Sequence, residues 1–169
     1  MGGKIALGVA AAKPVNLKGL VLLAPSPPSP EPIPDAVRAR MLATHGTREA
    51  ALQTLSGAWR REITGENLEN AIAANLAMSA IDWKNWLELG SREDVSELLA
   101  LIQIPVLVLT GDADAGMTPE LMRQEIVSKI HGARLEIIPD AGHFLPLEVP
   151  EAVAGHLAEF VKGLGEREA

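Results

Sequence analysis

Residues 104–119, IPVLVLTGDADAGMTP, and 133–150, ARLEIIPDAGHFLPLEVP, decide the fold. Each opens on a short apolar run, 104–110 and 133–139, too brief for a helix and rich in Val, Leu and Ile. Such runs are what a strand buried on both faces requires. Each run then breaks into Gly, Asp and Pro and leads into a helix. Thr118-Pro119-Glu120 supplies a hydroxyl cap, a proline in the first turn and an acid near the positive end of the dipole. Met122, Ile126, Val127 and Ile130 follow on one face, with Gly132 as the stop. Pro150 opens a second helix carrying Val153, Leu157, Phe160, Val161 and Leu164 at helical spacing. Strand, helix, strand, helix with short links implies parallel strands in an α/β layer.

Working toward the N-terminus, residues 34–102 show only helical spacing. Val37, Met41 and Leu42 mark one helix closed by Gly46, and Thr47 can cap a second with Leu52 and Leu55. Leu68, Ile72 and Leu76 mark a third, and Trp83, Trp86 and Leu87 a fourth stopped by Gly90. Ser91-Arg-Glu-Asp94 resembles a capping box and predicts a fifth, with Val95, Leu98, Leu99 and Ile102 on its apolar face. Six of the twelve prolines fall between Pro25 and Pro34, which makes a stiff, extended bridge or, alternatively, a disordered linker. Before it, LKGLVLLAP at 17–25 predicts a further strand buried on both faces. Residues 2–13 predict an Ala-rich helix, apolar almost all round and therefore buried.

The whole chain has 169 residues, enough for one compact domain. Fifteen basic against 22 acidic side chains give a formal charge of −7, which disfavours a nucleic-acid partner. The absence of Cys excludes disulfides, thiol catalysis and thiolate metal sites. No apolar run is long enough to span a membrane and no export pattern opens the chain, so a cytoplasmic location without membrane partners is expected.

In open parallel sheets ligands bind beyond the carboxyl ends of the strands. Asp112 and Asp114 follow one run and His143 follows the next, so an acid and a histidine meet at one sheet edge. The carboxylate can hold the imidazole tautomer and stabilise its protonated form. Asp112-x-Asp114-x-Gly116 also invites a calcium loop, but the sixth and twelfth positions are Met117 and Arg123 rather than Gly and Glu. A phosphatase-type Asp-x-Asp fails as well, because Thr110-Gly111 separate it from the strand end. His45, His131 and His156 lack a second ligand at metal spacing, so neither a metal nor a cofactor is expected. Trp83 and Trp86, three apart, either pack a helical core or line an apolar pocket.

Gly111-Asp-Ala-Asp114, the proline-started helix, Gly142-His143 and Glu148-Val-Pro150 together resemble the acid and histidine loops of the α/β-hydrolase superfamily, in its serine esterase/lipase-like branch. The resemblance covers essentially the whole chain. It implies a partial α/β-hydrolase fold, with three C-terminal parallel strands, flanking helices and an all-helical cap insertion. Residues 1–33 and 103–169 would be core, and 34–102 would be the cap. Gly-x-x-Asp spacing selects Asp114 over Asp112 as the acid that orients His143.

Met1-Gly2-Gly3-Lys4 is similar to the continuation of a Gly-x-Ser-x-Gly nucleophile elbow, entered one residue after the serine. By that resemblance Met1 would offer its backbone N–H to the oxyanion. The serine and five preceding strands would lie outside this chain, leaving it inactive alone. Ser26 and Ser29 sit on the proline bridge, without elbow geometry. The complete enzyme would take small apolar acyl or ester substrates. The alternative is a non-catalytic fold that self-associates, with a homodimer or aggregation expected through the 17–25 edge.

Overall fold

The computed structural model describes residues 1–165. Among these, three strands form one parallel sheet in the order β1-β2-β3: β1 (Leu20–Leu23), β2 (Val106–Gly111) and β3 (Arg134–Ile138). Leu22 pairs with Val108, and Val108 in turn with Leu135. The central strand explains the layering. All six of its residues are buried, and alternate side chains enter opposite cores. Val106 and Val108 join Leu7 and Ala10 of helix α1 (Gly2–Ala11) and Met122 of α6 (Pro119–Met122). Leu107 and Leu109 meet Leu145 of α7 (Leu145–Glu148), and Val153 and Phe160 of α8 (Pro150–Gly165), on the other face. Burying a Val or Leu side chain fully contributes about 1.5–3 kcal/mol. β2 is therefore the apolar spine of the molecule.

Between β1 and β2 no strand intervenes among the described residues, and the chain forms four helices, α2 (Asp35–Thr44), α3 (Arg48–Ser56), α4 (Gly65–Ala77) and α5 (Ala80–Glu88). Thr47 caps α3 through a hydroxyl that accepts from the Ala50 N–H at 3.1 Å. Thr118 does the same for α6, accepting from the Leu121 N–H, after which the helix widens into a π turn at Arg123–Val127. The proline segment is pinned rather than free. Pro25, Pro27 and Pro28 are buried, the Pro28 carbonyl accepts from the Val95 N–H, and the Glu31 N–H donates to the Ser91 carbonyl. Lys4, itself buried, reaches from α1 to the carbonyls of Ser29 and Glu93. Burial pushes its ammonium pKa down, against the opposing pull of Glu31, Glu93 and Asp94.

Three local expectations are corrected. The 17–25 strand is only four residues long and half-buried except at Leu22, because β1 is an edge strand. Ala24, at φ 40°, ends it. The first helix buries one face alone, leaving Ile5 61% and Val9 52% exposed. The expected fifth helix is replaced by two 3₁₀ turns, Gly90–Arg92 and Ser96–Leu101. Its presumed cap is otherwise engaged. The Ser91 hydroxyl donates to the Leu87 carbonyl and accepts from Arg38, while Asp94 accepts from the nearby Ser96 N–H. That local turn competes with a helix start. The short helix α7 was not anticipated from the spacing.

Candidate active site

The loops that leave β2 and β3 at their carboxyl ends lie against each other. The Asp112 N–H donates to the Ile138 carbonyl and the Ala113 N–H to the Ala141 carbonyl at 3.0 Å. This closeness requires glycine at the end of β2, since a Cβ on Gly111 would stand 2.1 Å from the Ala141 oxygen. Gly142 is constrained in the same way by backbone of the helical block, where an added Cβ would stand 2.6 Å from both the Ala58 oxygen and the Arg60 nitrogen. Asp140, held at φ 52°, turns the chain between them.

This geometry brings Asp114 and His143 together, 29 residues apart in sequence. His143 Nδ1 lies 2.8 Å from Asp114 Oδ2. The other carboxylate oxygen accepts the N–H groups of Gly116 and Met117, each at 2.9 Å. Burial acts to raise the Asp114 pKa, but the hydrogen bonds from His143, Met117 and Gly116 outweigh it and hold the carboxyl below its ordinary value. An ionised carboxylate only accepts, so His143 Nδ1 carries the proton and donates it. In the neutral imidazole that leaves the lone pair on Nε2. The carboxylate is sealed at 3% exposure, whereas the imidazole is 35% exposed. Asp112 is exposed and takes no part in the pair.

Asp114 and His143 border a cavity of about 580 Å3 between these loops and the helical block. Thr54, Leu55, Trp59, Ala71, Asn75 and Trp83 form its far walls, with Met117 and Phe144 on the near side. It is an apolar chamber with few polar groups, the usual character of a small-molecule site. The two tryptophans have separate fates. Trp83 lines the cavity, donates Nε1–H to the Met41 carbonyl and stacks on His45 at 5.0 Å, whereas Trp86 packs over Gly90. Met1 does not border this cavity; its nitrogen lies 2.5 Å from the Ser26 hydroxyl. No serine lines the cavity among the described residues. A second cavity, about 280 Å3, opens beside Pro105, Val106 and Arg134 at the opposite ends of the strands, away from His143.

The role of Glu148 is not evident from the motif that contains it. The buried Glu148 carboxylate accepts four backbone N–H groups: Arg60, Arg61 and Gly142 on Oε2, and Phe144 on Oε1, all at 2.8–2.9 Å. The motif around His143 displays the glutamate, but two of its donors lie nearly ninety residues upstream. Trp59, beside them, was likewise given no role. Among the described residues, no three His, Asp or Glu side chains gather to hold a metal ion. None of the described helices is long and apolar enough to cross a membrane.

A model described as the alpha/beta hydrolase family matches residues 1–156. The pimeloyl-(acyl-carrier protein) methyl ester esterase of Neisseria meningitidis serogroup A is 35% identical over 78 residues, which cover 46% of this chain and 25% of that protein. Among solved structures, the esterase EaEST of Exiguobacterium antarcticum superposes with a TM-score of 0.82 at 18% identity, over 95% of this chain and 63% of the other. Carboxylesterase CesB of Bacillus subtilis gives 0.73 at 22% identity, over 96% and 57% respectively. The chain thus spans a quarter of the curated relative's length and under two thirds of either solved chain.

Proposed function

The chain belongs to the alpha/beta hydrolase family, and from that premise we propose that it carries the acid and histidine of a Ser-His-Asp hydrolase acting on carboxylic esters or similar acyl compounds. The observation that carries the proposal is the sealed Asp114 carboxylate bonded to His143 Nδ1 at 2.8 Å, beside an apolar cavity. Asp114 would orient the imidazole and stabilise its protonated form. His143 Nε2 would take the proton of the attacking hydroxyl and return it to the leaving group. The names of the esterase relatives support an ester or acyl substrate, and the cavity suits a small apolar acyl group. Residues 1–33 and 103–169 would form the core, of which 166–169 lie outside the described residues, and 34–102 the cap that closes the chamber.

In this proposal the nucleophile is a serine placed directly before Met1 in a longer polypeptide, and the Met1 peptide N–H, at the head of α1, serves the oxyanion. One such donor contributes on the order of 3 kcal/mol to the transition state. The 169-residue chain alone would then hydrolyse activated esters no faster than its histidine background. The test is reconstitution with an N-terminal half that ends in the serine, assayed on p-nitrophenyl esters. His143→Ala and Asp114→Asn should each lower kcat by orders of magnitude, and Asp112→Asn should leave it nearly unchanged. Equal losses at Asp112 and Asp114, or a fluorophosphonate-labelled serine within residues 1–169, would overturn it.

A second function class has an observation of its own. Among the described residues β1 pairs on one side only, and Ile5, Val9 and Val15 stand exposed on or just beyond the helix before it. Exposed apolar surface beside an open strand edge recruits other chains. Under this alternative the chain is a non-catalytic partner-binding fold, forming a homodimer through the 17–25 edge. Sedimentation velocity at micromolar concentration separates a dimer from the monomer that would count against it.

A further inference from the structure

We propose that Glu148 is a positioning residue that joins the His143 loop and the 58–61 segment of the helical block into one unit, so that the imidazole and the Trp59 wall of the cavity keep a fixed register. The inference rests on His143 being the functional histidine. Glu148 lies on the short helix α7 immediately after the histidine loop, and its carboxylate faces four converging N–H donors. Two belong to Gly142 and Phe144, the residues on either side of His143. The other two belong to Arg60 and Arg61, which follow Trp59. A carboxylate is the side chain suited to this cradle, because it accepts on both oxygens and gains from charge-assisted bonds.

Neighbouring contacts act along the same seam. The His143 N–H donates to the Ala58 carbonyl at 2.9 Å, and Arg60 Nε donates to Asp140 Oδ1 at 2.9 Å. Phe144 packs into the apolar cluster of Ala51, Leu55 and Ile72, so the loop is also anchored inside the helical block. A shift of the 58–61 segment therefore displaces the backbone that carries His143. Glu148 does not line the cavity, and its four described hydrogen bonds all go to backbone N–H groups, so its effect on the imidazole passes through backbone.

The experiment is NMR on the 15N-labelled full chain, which needs no turnover. The low-field imidazole proton shared by His143 and Asp114 is observed directly, and Asp114→Asn removes it. Failure to see it, or its survival in that variant, overturns the underlying acid–histidine assignment and says nothing against the cradle. Glu148→Gln keeps the side-chain length but turns an NH2 toward at least one of the four donors. Exchange at the Arg60, Arg61, Gly142 and Phe144 amides should then accelerate together by about tenfold or more, as expected for losing a hydrogen bond to a charged acceptor. The His143 signal should broaden away while β2 amides keep their protection. Unchanged exchange and an unchanged imidazole signal would overturn the proposal. For the case in which that variant does not fold, hydrogen exchange of the unsubstituted chain decides. The four amides should share one opening free energy, and opening of Arg60 and Arg61 independently of Gly142 and Phe144 would overturn the coupling.

Discussion

The central strand and the helical block that precedes it are built on different physics. β2 is buried at all six residues, and both of its faces meet apolar side chains. The four helices between β1 and β2 bury little: Arg38 in α2, Ala51 and Leu55 in α3, Ile72 in α4 and Leu87 in α5. Polar ties compensate. Arg38 donates to the Leu87 carbonyl and to the Ser91 hydroxyl at 2.7 Å, and Trp83 donates to Met41. Few apolar contacts place a region at the low end of local stability. The sheet should therefore open only with the whole molecule, and the block before it.

The severest challenge to that contrast is Leu109→Ala. Leu109 is fully buried, and truncation at such a site costs about 2–5 kcal/mol. Urea denaturation should show the sheet and the block losing stability together, and loss from the block alone would break the comparison. Arg38→Ala comes next. It strips donors from the Leu87 carbonyl and the Ser91 hydroxyl, at an expected cost of about 1–3 kcal/mol. Hydrogen exchange should quicken in α2 and α5 while β2 stays protected.

A smaller effect follows from Asp114. Its folded pKa lies below the unfolded value of about 3.9, so its stabilisation is present above that pH and is lost as the pH falls through the folded value. Acid titration of thermal stability should therefore fall less steeply below about pH 4 in Asp114→Asn than in the unsubstituted chain. Identical slopes would show that the carboxylate contributes no such linkage. Smallest of all is Arg48→Ala. Its paired contact with Glu69 is 2.6–2.8 Å long but lies on side chains more than half exposed. Solvent screening should leave the denaturation midpoint unmoved within error.

The same contrast explains what could be read from the letters. The run at 104–110 announces β2 because burial on both faces erases the alternation of an ordinary strand. The run at 17–25 carries the same kind of letters, yet β1 is half-buried. What lies beside a strand is not written in it. Ile5 and Val9 mislead for that reason as well. Ser91 fails as a cap because Arg38, 53 residues upstream, and Leu87 occupy its hydroxyl. The pairing of Asp114 with His143 was legible because their loops have local spacing that survives without the fold. Glu148 was visible in the motif, but its partners at Arg60 and Arg61 are backbone N–H groups, which every sequence position possesses and no letter marks.

The seam at Glu148 also dictates how this fold can be recombined. A chimaera that exchanges residues 34–102 for the equivalent piece of a relative would import foreign backbone at 58–61 against a native carboxylate. The exchange would thus place the two sides of the Glu148 hydrogen bonds in different parents. Keeping 57–63 with the recipient, and exchanging the flanking helices as two separate inserts, preserves those bonds. The heritable module is therefore discontinuous in sequence: the histidine loop and a short strap nearly ninety residues upstream behave as a single exchangeable part.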